Sequence, residues 1–189
     1  MSALFDVAET ELHGVHVLAR RPHADERGWF ERMYCATDLA DVLGRRSIVQ
    51  VNRSLTRSKA TVRGLHYQVQ PSAEAKIVSC LRGTIFDVAV DVRRNSPTFL
   101  RWHAELLSAE NGRSLFVPEG FAHGFQAVGD DCEVLYFATA AYDPAAEGGL
   151  HPLDPRVAIV WPLAVEHLSA RDASRPALAP DFDGIELSA

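Results

Sequence analysis

The sequence predicts an all-β chain that folds as a sandwich or a closed barrel. Short runs rich in β-branched residues recur along the middle of the chain, and clusters of turn-forming residues separate them at short intervals. Two of these runs, Lys76–Leu81 and Ile85–Val92, meet at Arg82-Gly83, a pair typical of a turn. The length of 189 residues suits one compact domain and is too short for two ordinary ones. We therefore expect a single domain over residues 1–189.

The elements that follow this pair fit the same class. A turn over Arg94–Thr98 is followed by further short β-rich runs. These expected strands are Trp102–Leu107, Ser114–Val117, Gly124–Val128 and Cys132–Thr139.

Helices are expected to be short and peripheral. Thr37–Leu43 has the composition of a short helix, with Thr37 as its N-cap and Gly44 as its stop. Ser169–Ala173 is a candidate helical turn, and the tail from Ala177, rich in Pro and Asp, is expected to be loose.

Composition argues against several classes of function. The net charge of −6 argues against a protein that holds nucleic acid or an anionic membrane. No apolar run is long enough to cross a bilayer, and Met1–Asp6 lacks the basic start of a secretory signal. Cys35, Cys80 and Cys132 are odd in number and widely spaced, which favours reduced thiols in a cytoplasmic protein.

The first chemical motif is Arg63–Gln68, which contains His66 between two polar residues. Lys76 follows ten positions after His66. Histidine is the natural general base near neutral pH because its ordinary pKa lies close to that range. Taken alone, these residues fit a structural histidine equally well.

The second motif is Gly112–His123, with Pro118, Gly120 and His123 at the spacing Gly-x5-Pro-x-Gly-x-x-His. It resembles the second signature of the cupins and implies their jelly-roll β-barrel, with a strand, a tight turn and a histidine at the barrel mouth. A hairpin turn that carries a surface histidine is the alternative.

The metal ligands of a typical cupin are incomplete. The first cupin signature normally supplies His-x-His and a glutamate, whereas this chain has His66 followed by Gln68. We therefore expect no metal and no other cofactor, and acid–base chemistry instead of metal-assisted oxygen chemistry.

Several stretches together resemble the dTDP-4-dehydrorhamnose 3,5-epimerase family, the dTDP-sugar epimerases of the cupins. These stretches are Asp25–Phe30, Arg63–Gln68, Gly83–Phe99, Leu107–Phe125, Leu135-Tyr136 and Leu168–Asp172. The resemblance implies epimerisation of a dTDP-linked 4-keto-6-deoxyhexose at C3, C5 or both. The proton would be removed and returned through an enolate.

The resemblance also implies the catalytic roles. His66 matches the base and Asp172 the carboxylate that orients it. Lys76 matches the cation near the enolate oxygen, and Tyr136 the acid on the opposite face. Without the resemblance, Tyr136 would be a core tyrosine with an accessible hydroxyl.

Further positions match residues around the substrate. Arg27 and Arg63 match ligands of the diphosphate, which suits paired guanidinium donors. His123 with Asp87 matches a second dyad that lines the pocket. The remaining substrate-binding candidates are Phe30, Gln50, Tyr142 and Arg171.

The chain departs from the family pattern at three places. Glu31 comes one position early and Arg32 takes the family's glutamate position; Phe137 replaces a common lysine; and Ala140-Ala141 precede Tyr142 where Asn-Tyr is common. The lost tyrosine lies near the expected pocket, so an epimerase that acts only at C3 or only at C5 is an alternative.

Three other functions compete: a metal-dependent cupin oxygenase or isomerase, a non-catalytic sugar-nucleotide-binding cupin, and a ketoisomerase of the same fold. A binding protein would have no need of His66, Lys76 and Tyr136 together, which favours the enzyme. The resemblance further implies a homodimer in which the N-terminal segment crosses to the partner.

Overall fold

In a computed structural model, which describes residues 4–187, the chain forms thirteen strands and two short helices. The strands are β1 (Phe5–Glu9), β2 (His16–Arg20), β3 (His23–Asp25), β4 (Gly28–Phe30), β5 (Gln50–Thr56), β6 (Val62–Gln68), β7 (Lys76–Arg82), β8 (Thr84–Asp91), β9 (Trp102–Ser108), β10 (Arg113–Val117), β11 (Phe121–Ala127), β12 (Cys132–Ala138) and β13 (Glu147–Gly149). The helices are α1 (Ala40–Leu43) and α2 (Ala170–Ala173). No helix within residues 4–187 is long and apolar enough to cross a bilayer. Residues 1–3, part of the N-terminal stretch in which no secretory signal is expected, and residues 188–189 lie outside the described residues.

The strands form two antiparallel sheets that face each other, and the predicted all-β barrel of the jelly-roll type is confirmed. The first sheet has the order β1-β2-β10-β7-β12-β5, and the second sheet has the order β13-β6-β11-β8-β9. Strands β3 and β4 form a separate hairpin.

The predicted strands are present, but the turn between β7 and β8 does not close a hairpin. β7 belongs to the first sheet and β8 to the second, so this turn carries the chain from one sheet to the other. Gly83 has a φ of +74°, and a Cβ there would lie 2.8 Å from Cys132 Sγ. Only glycine fits this crossing without a shift of its neighbours.

The core between the sheets follows from strand alternation. In β8, Ile85 and Ala89 point into this core, and Asp87 lies on the same face because side chains alternate along a strand. Leu115 and Phe125 enter the core from the facing sheet and from β11, respectively. Apolar residues fill one end of the barrel, which leaves the other end to polar side chains.

The outer face of the second sheet is also buried. Val88 and Val90, which alternate with the inward residues of β8, pack against Leu150, Val157 and other residues of the C-terminal segment. Burial on both faces explains why Val88, Ala89 and Val90 form a continuous apolar run within β8. The C-terminal segment is thereby held against β6 and β8.

The predicted start of helix α1 is wrong. Its N-cap is Leu39, with no side-chain capping bond. The backbone carbonyl of Thr37 accepts a hydrogen bond of 3.4 Å from the N–H of Ala40. The helix is held by packing, since Leu39, Val42 and Leu43 are buried against the first sheet. The predicted stop at Gly44, which has a φ of +59°, is confirmed.

The described part of the tail is not loose, contrary to the prediction. Ile185 forms a β-bridge with Arg93, and Leu178 and Ile185 pack against the outer core of the second sheet. The guanidinium of Arg94 lies 2.8 Å from Asp183 and 2.7 Å from Glu186. The Pro/Asp-rich composition predicted a loose tail, whereas two apolar residues, Leu178 and Ile185, anchor it.

Leu115 tests the core between the sheets. It is fully buried, so Leu115→Ala is expected to lower the free energy of unfolding by about 2–5 kcal/mol. Leu106→Ala, at a side chain that is 50% exposed, serves as the control and should cost less than about 1 kcal/mol. Urea unfolding followed by tryptophan fluorescence measures both. Equal losses in the two variants would contradict this placement of the core.

Candidate active site

A cavity of about 750 Å³ occupies the polar end of the barrel. It is enclosed by strands of both sheets and by the segment that contains α2. Nine predicted site residues line it: Gln50, Arg63, His66, Lys76, His123, Tyr136, Tyr142, Arg171 and Asp172. A tenth, Asp87, lies directly behind His123.

His66 and Asp172 form a hydrogen-bonded pair at the cavity wall. His66 Nε2 lies 2.6 Å from Asp172 Oδ1. Asp172 belongs to α2, whose N-cap Ser169 accepts a hydrogen bond of 3.0 Å from the Asp172 backbone N–H. Ser169 thus caps the helix at the residue that meets His66, as the predicted helical turn requires.

Burial keeps His66 neutral. Loss of solvent lowers the pKa of His66, and the nearby Asp172 opposes the effect without reversing it. In the neutral ring, Nε2–H donates to Asp172 and leaves Nδ1 with a free lone pair. The pair therefore has the form of an oriented general base.

His123 and Asp87 form a second pair, which is deeply buried. His123 Nε2 lies 2.8 Å from Asp87 Oδ1, and both side chains are almost inaccessible to solvent. Burial raises the pKa of Asp87, and the neighbouring His123 counteracts part of this rise. His123 is also paired with His66 across strands β11 and β6. The alternative of a surface histidine is therefore wrong for His123.

Tyr136 faces this histidine wall from the other sheet. It belongs to β12 of the first sheet, whereas His66 belongs to β6 of the second. Its hydroxyl lies 3.1 Å from Ser54 Oγ, and its ring lies edge-on to His123 with 6.3 Å between centroids. Burial raises the pKa of Tyr136, so its hydroxyl stays protonated at neutral pH. A proton donor and a neutral base thus occupy opposite walls.

Lys76 is paired with an acid that the sequence did not single out. Lys76 Nζ lies 2.8 Å from Glu74 Oε1, and both side chains are largely buried at the cavity. Glu74 lies in the loop before β7, and Lys76 is the first residue of β7. Their spacing of two places both on one side of an extended chain, which is the signal that sequence reasoning missed.

Glu147 is a second acid that the sequence did not reveal. Its Oε2 accepts a hydrogen bond of 2.7 Å from the Tyr142 hydroxyl, and its Oε1 binds the guanidinium of Arg171. Burial favours the protonated form, but hydrogen bonds from Arg171 and Tyr142 outweigh it and lower the pKa of Glu147. The backbone N–H of Tyr142 donates to Gln50 Oε1 at 3.1 Å, which joins four lining residues into one network.

Two predicted site residues lie elsewhere. Arg27 and Phe30 belong to the β3–β4 hairpin, which lines a separate cavity of about 400 Å³. Arg27 pairs with Asp25 in the same hairpin, and the Phe30 side chain is largely exposed. A single chain does not bring these two residues to His66.

Arg63 and Gln68 flank His66 on the same strand but face different partners. Arg63 Nε donates to Thr56 Oγ1 at 2.9 Å and its Nη2 donates to the Leu55 carbonyl at 3.1 Å. Among the described residues, Gln68 bonds only to backbone groups: it donates to the carbonyls of Ser72 and Ala141 and accepts from the N–H of Asp143. Within residues 4–187 no three His, Cys, Asp or Glu side chains converge as metal ligands.

Two of the three departures from the family pattern have local explanations. Glu31 lies 2.9 Å from the buried Arg20, where it anchors the end of the hairpin. Phe137 stacks on Tyr34 outside the barrel. Ala140 and Ala141 are not among the residues that line the cavity, whereas Tyr142 is.

Comparisons with known proteins place the chain in a family. The model of the dTDP-4-dehydrorhamnose 3,5-epimerase family matches residues 9–180. The dTDP-4-dehydrorhamnose 3,5-epimerase of Salmonella typhimurium is 42% identical over 174 residues, which is 91% of this chain and 94% of that protein. The dTDP-4-dehydrorhamnose 3-epimerase of Streptomyces niveus is 39% identical over 91% of this chain and 83% of its own length.

A solved structure agrees in fold and sequence. The crystal structure of dTDP-6-deoxy-D-glucose-3,5-epimerase from Legionella pneumophila, in complex with dTDP-4-keto-L-rhamnose, superposes with a TM-score of 0.90. It is 36% identical and covers 98% of this chain and 100% of the Legionella chain. The chain therefore belongs to the dTDP-4-dehydrorhamnose 3,5-epimerase family.

Proposed function

We propose that the protein epimerises a dTDP-linked 4-keto-6-deoxyhexose at C3 and C5 through an enolate. The observation that carries the proposal is the facing pair in one cavity. His66, oriented by Asp172, lies on one wall, and the protonated Tyr136 lies on the other. The dTDP-sugar named with the Legionella structure is of this substrate class.

The chemistry divides between the two walls. The C4 ketone acidifies the neighbouring C–H bonds, and His66 Nδ1 takes the proton while the bonding electrons move to the ketone oxygen. Lys76 stabilises the negative charge that develops on this oxygen, an effect exerted on the transition state more than on the ground state. Tyr136 then donates its hydroxyl proton to carbon from the opposite face, which inverts the centre.

Two observations favour a second candidate, an epimerase that acts at one carbon. The relative from Streptomyces niveus is named a 3-epimerase, although it is 39% identical to this chain. The position before Tyr142 is Ala141, where the family commonly has tyrosine. A single inversion would result if the sugar left the cavity after the first centre had been inverted.

Proton NMR of dTDP-4-keto-6-deoxyglucose in deuterated water tests the proposal. The wild-type protein is expected to exchange the hydrogens at C3 and C5 for deuterium and to invert both centres. Exchange and inversion at one carbon would establish the second candidate. Movement of the carbonyl to C3 would establish a ketoisomerase, and binding of dTDP without any exchange a non-catalytic protein.

The matched variant for this experiment is His66→Asn. It keeps a polar side chain of similar size but removes the base, so exchange at both carbons should fall by about 10²–10⁴-fold. The affinity for dTDP, measured by calorimetry, should be unchanged. A variant that exchanges as fast as the wild type would show that His66 is structural.

Tyr136→Phe separates proton removal from inversion. Enolate formation needs His66 and Lys76, whereas inversion also needs the Tyr136 hydroxyl. The variant is therefore expected to retain exchange of substrate hydrogen with solvent while product formation falls by about 10²-fold or more. Ser54→Ala, which removes only the hydrogen-bond partner of Tyr136, is the control and should retain inversion. Equal loss of exchange and inversion in Tyr136→Phe would refute this division.

We also propose a homodimer in which Arg27 and Phe30 of one copy complete the cavity of the other. What supports this proposal is that the β3–β4 hairpin lines a separate cavity and carries the exposed aromatic side chains Trp29 and Phe30. Exposed aromatic residues next to an arginine are typical of interface anchors.

Mixing two inactive variants tests this arrangement. Arg27→Ala and His66→Asn should each have low kcat/KM, but a heterodimer holds one cavity with both residues intact. Co-refolding in equal amounts should recover about a quarter of the wild-type kcat/KM, since half of the dimers would be mixed and each would have one complete site. Additive activities with no recovery would place both residues at one chain's site or show a monomer.

The expectations of no metal, no other cofactor and a cytoplasmic location stay predictions. The substitution of Gln68 for a second histidine supports the first of them.

A further inference from the structure

Arg175 lies directly behind the His66–Asp172 pair. It follows α2 in the chain, its side chain is 17% exposed, and it does not line the cavity. Its Nη2 donates to Glu147 Oε1 at 3.2 Å. Its Nε lies 4.0 Å from Asp172 Oδ1, the same oxygen that is bonded to His66.

The guanidinium occupies a closely fitted niche. A Cβ at Gly149 would lie 2.4 Å from Arg175 Cζ and 2.4 Å from the Leu65 carbonyl oxygen, so only glycine leaves this space. Arg175 Nε is buried and has no hydrogen-bond partner within residues 4–187. An N–H that is buried beside a carboxylate without reaching it acts on that carboxylate through its charge.

We propose that Arg175 is a positioning residue of the epimerase, which acts through Asp172 and Glu147 to keep His66 a neutral, correctly oriented base. The proposal rests on the proposed function, because it concerns the base of that reaction. Arg175 joins the two carboxylates that lie beside His66 and supplies a positive charge on the side away from the substrate.

The charges around His66 explain why this matters. The carboxylates of Asp172 and Glu147 favour the imidazolium, whereas burial and Arg175 lower the pKa of His66. Arg171 of α2 partly neutralises the negative charge of Glu147. His123 of β11 lies beside His66 and is bonded to Asp87 of β8. The neighbours on β6 itself are Arg63 and Tyr67.

The direction of the effect follows from these charges. Removing Arg175 leaves two carboxylates beside His66 and takes away the cation that opposes protonation. The pKa of His66 should then rise. Because a base must be unprotonated, the rate at neutral or mildly acidic pH would fall, and the activity would return at higher pH.

The pH profile of kcat/KM for deuterium exchange tests the proposal. In R175Q the acidic limb should move to higher pH, while the rate on the alkaline plateau and the affinity for dTDP stay near wild type. R175K keeps the positive charge, so its pH profile should lie close to that of the wild type. R101Q removes an exposed arginine whose nearest acid is Glu11, at 3.8 Å, and should leave the profile unchanged. R175M, which keeps the aliphatic stem, repeats the measurement if glutamine is poorly tolerated.

Direct titration of the His66 imidazole by NMR separates this proposal from the proposed function. The signal is assigned by its loss in His66→Asn, and its pKa should be higher in R175Q than in the wild type, whether or not the protein turns over. A wild type without exchange would overturn the proposed function alone. A wild type with exchange, together with an unshifted limb and an unshifted His66 titration in R175Q, would overturn the role of Arg175 alone.

Discussion

Burial of both faces of the second sheet is the constraint on which the site depends. The inner faces of β8 and β11 pack against the first sheet, which places His123 and Asp87 inside the barrel. The outer faces need a cover, and the C-terminal segment supplies it. Because that segment must return along the sheet to cover it, α2 comes to lie against β6. Asp172 reaches His66 as a consequence of this covering, across 106 positions of sequence.

Charge pairing is the second constraint, and it shapes the cavity. Each acid at or behind the wall has a basic partner: Glu74 pairs with Lys76, Glu147 with Arg171, and Asp87 with His123. Unpaired charges in such a place would cost far more than paired ones. The pairing also keeps each cation in a set position, so that the charge presented to a substrate is defined before it binds.

The two histidines show how similar pairs acquire different properties. Both lie at 2.6–2.8 Å from a carboxylate, and they are paired across adjacent strands. The His123 side chain lines the cavity but is only 5% exposed, whereas the His66 side chain is 32% exposed. His66 is therefore the more accessible of the two histidines, and Asp87 lies behind His123.

The sequence by itself determined the fold class, the strands from β7 to β12, the helical turn within Ser169–Ala173 and the residues of the two motifs. These features are local, because alternation, turn residues and motif spacing are written in consecutive positions. The predictions of an N-cap at Thr37 and of a loose tail were wrong, because packing against a sheet decided the structure of both segments. Only the tertiary structure decided which charges meet. Glu74, Glu147 and Arg175 carry no motif, and their roles exist because the closed barrel and its C-terminal cover bring distant segments within bonding distance. The placement of Arg27 and Phe30 away from the cavity is likewise a tertiary result, since they belong to a separate two-stranded hairpin that lines a cavity of its own.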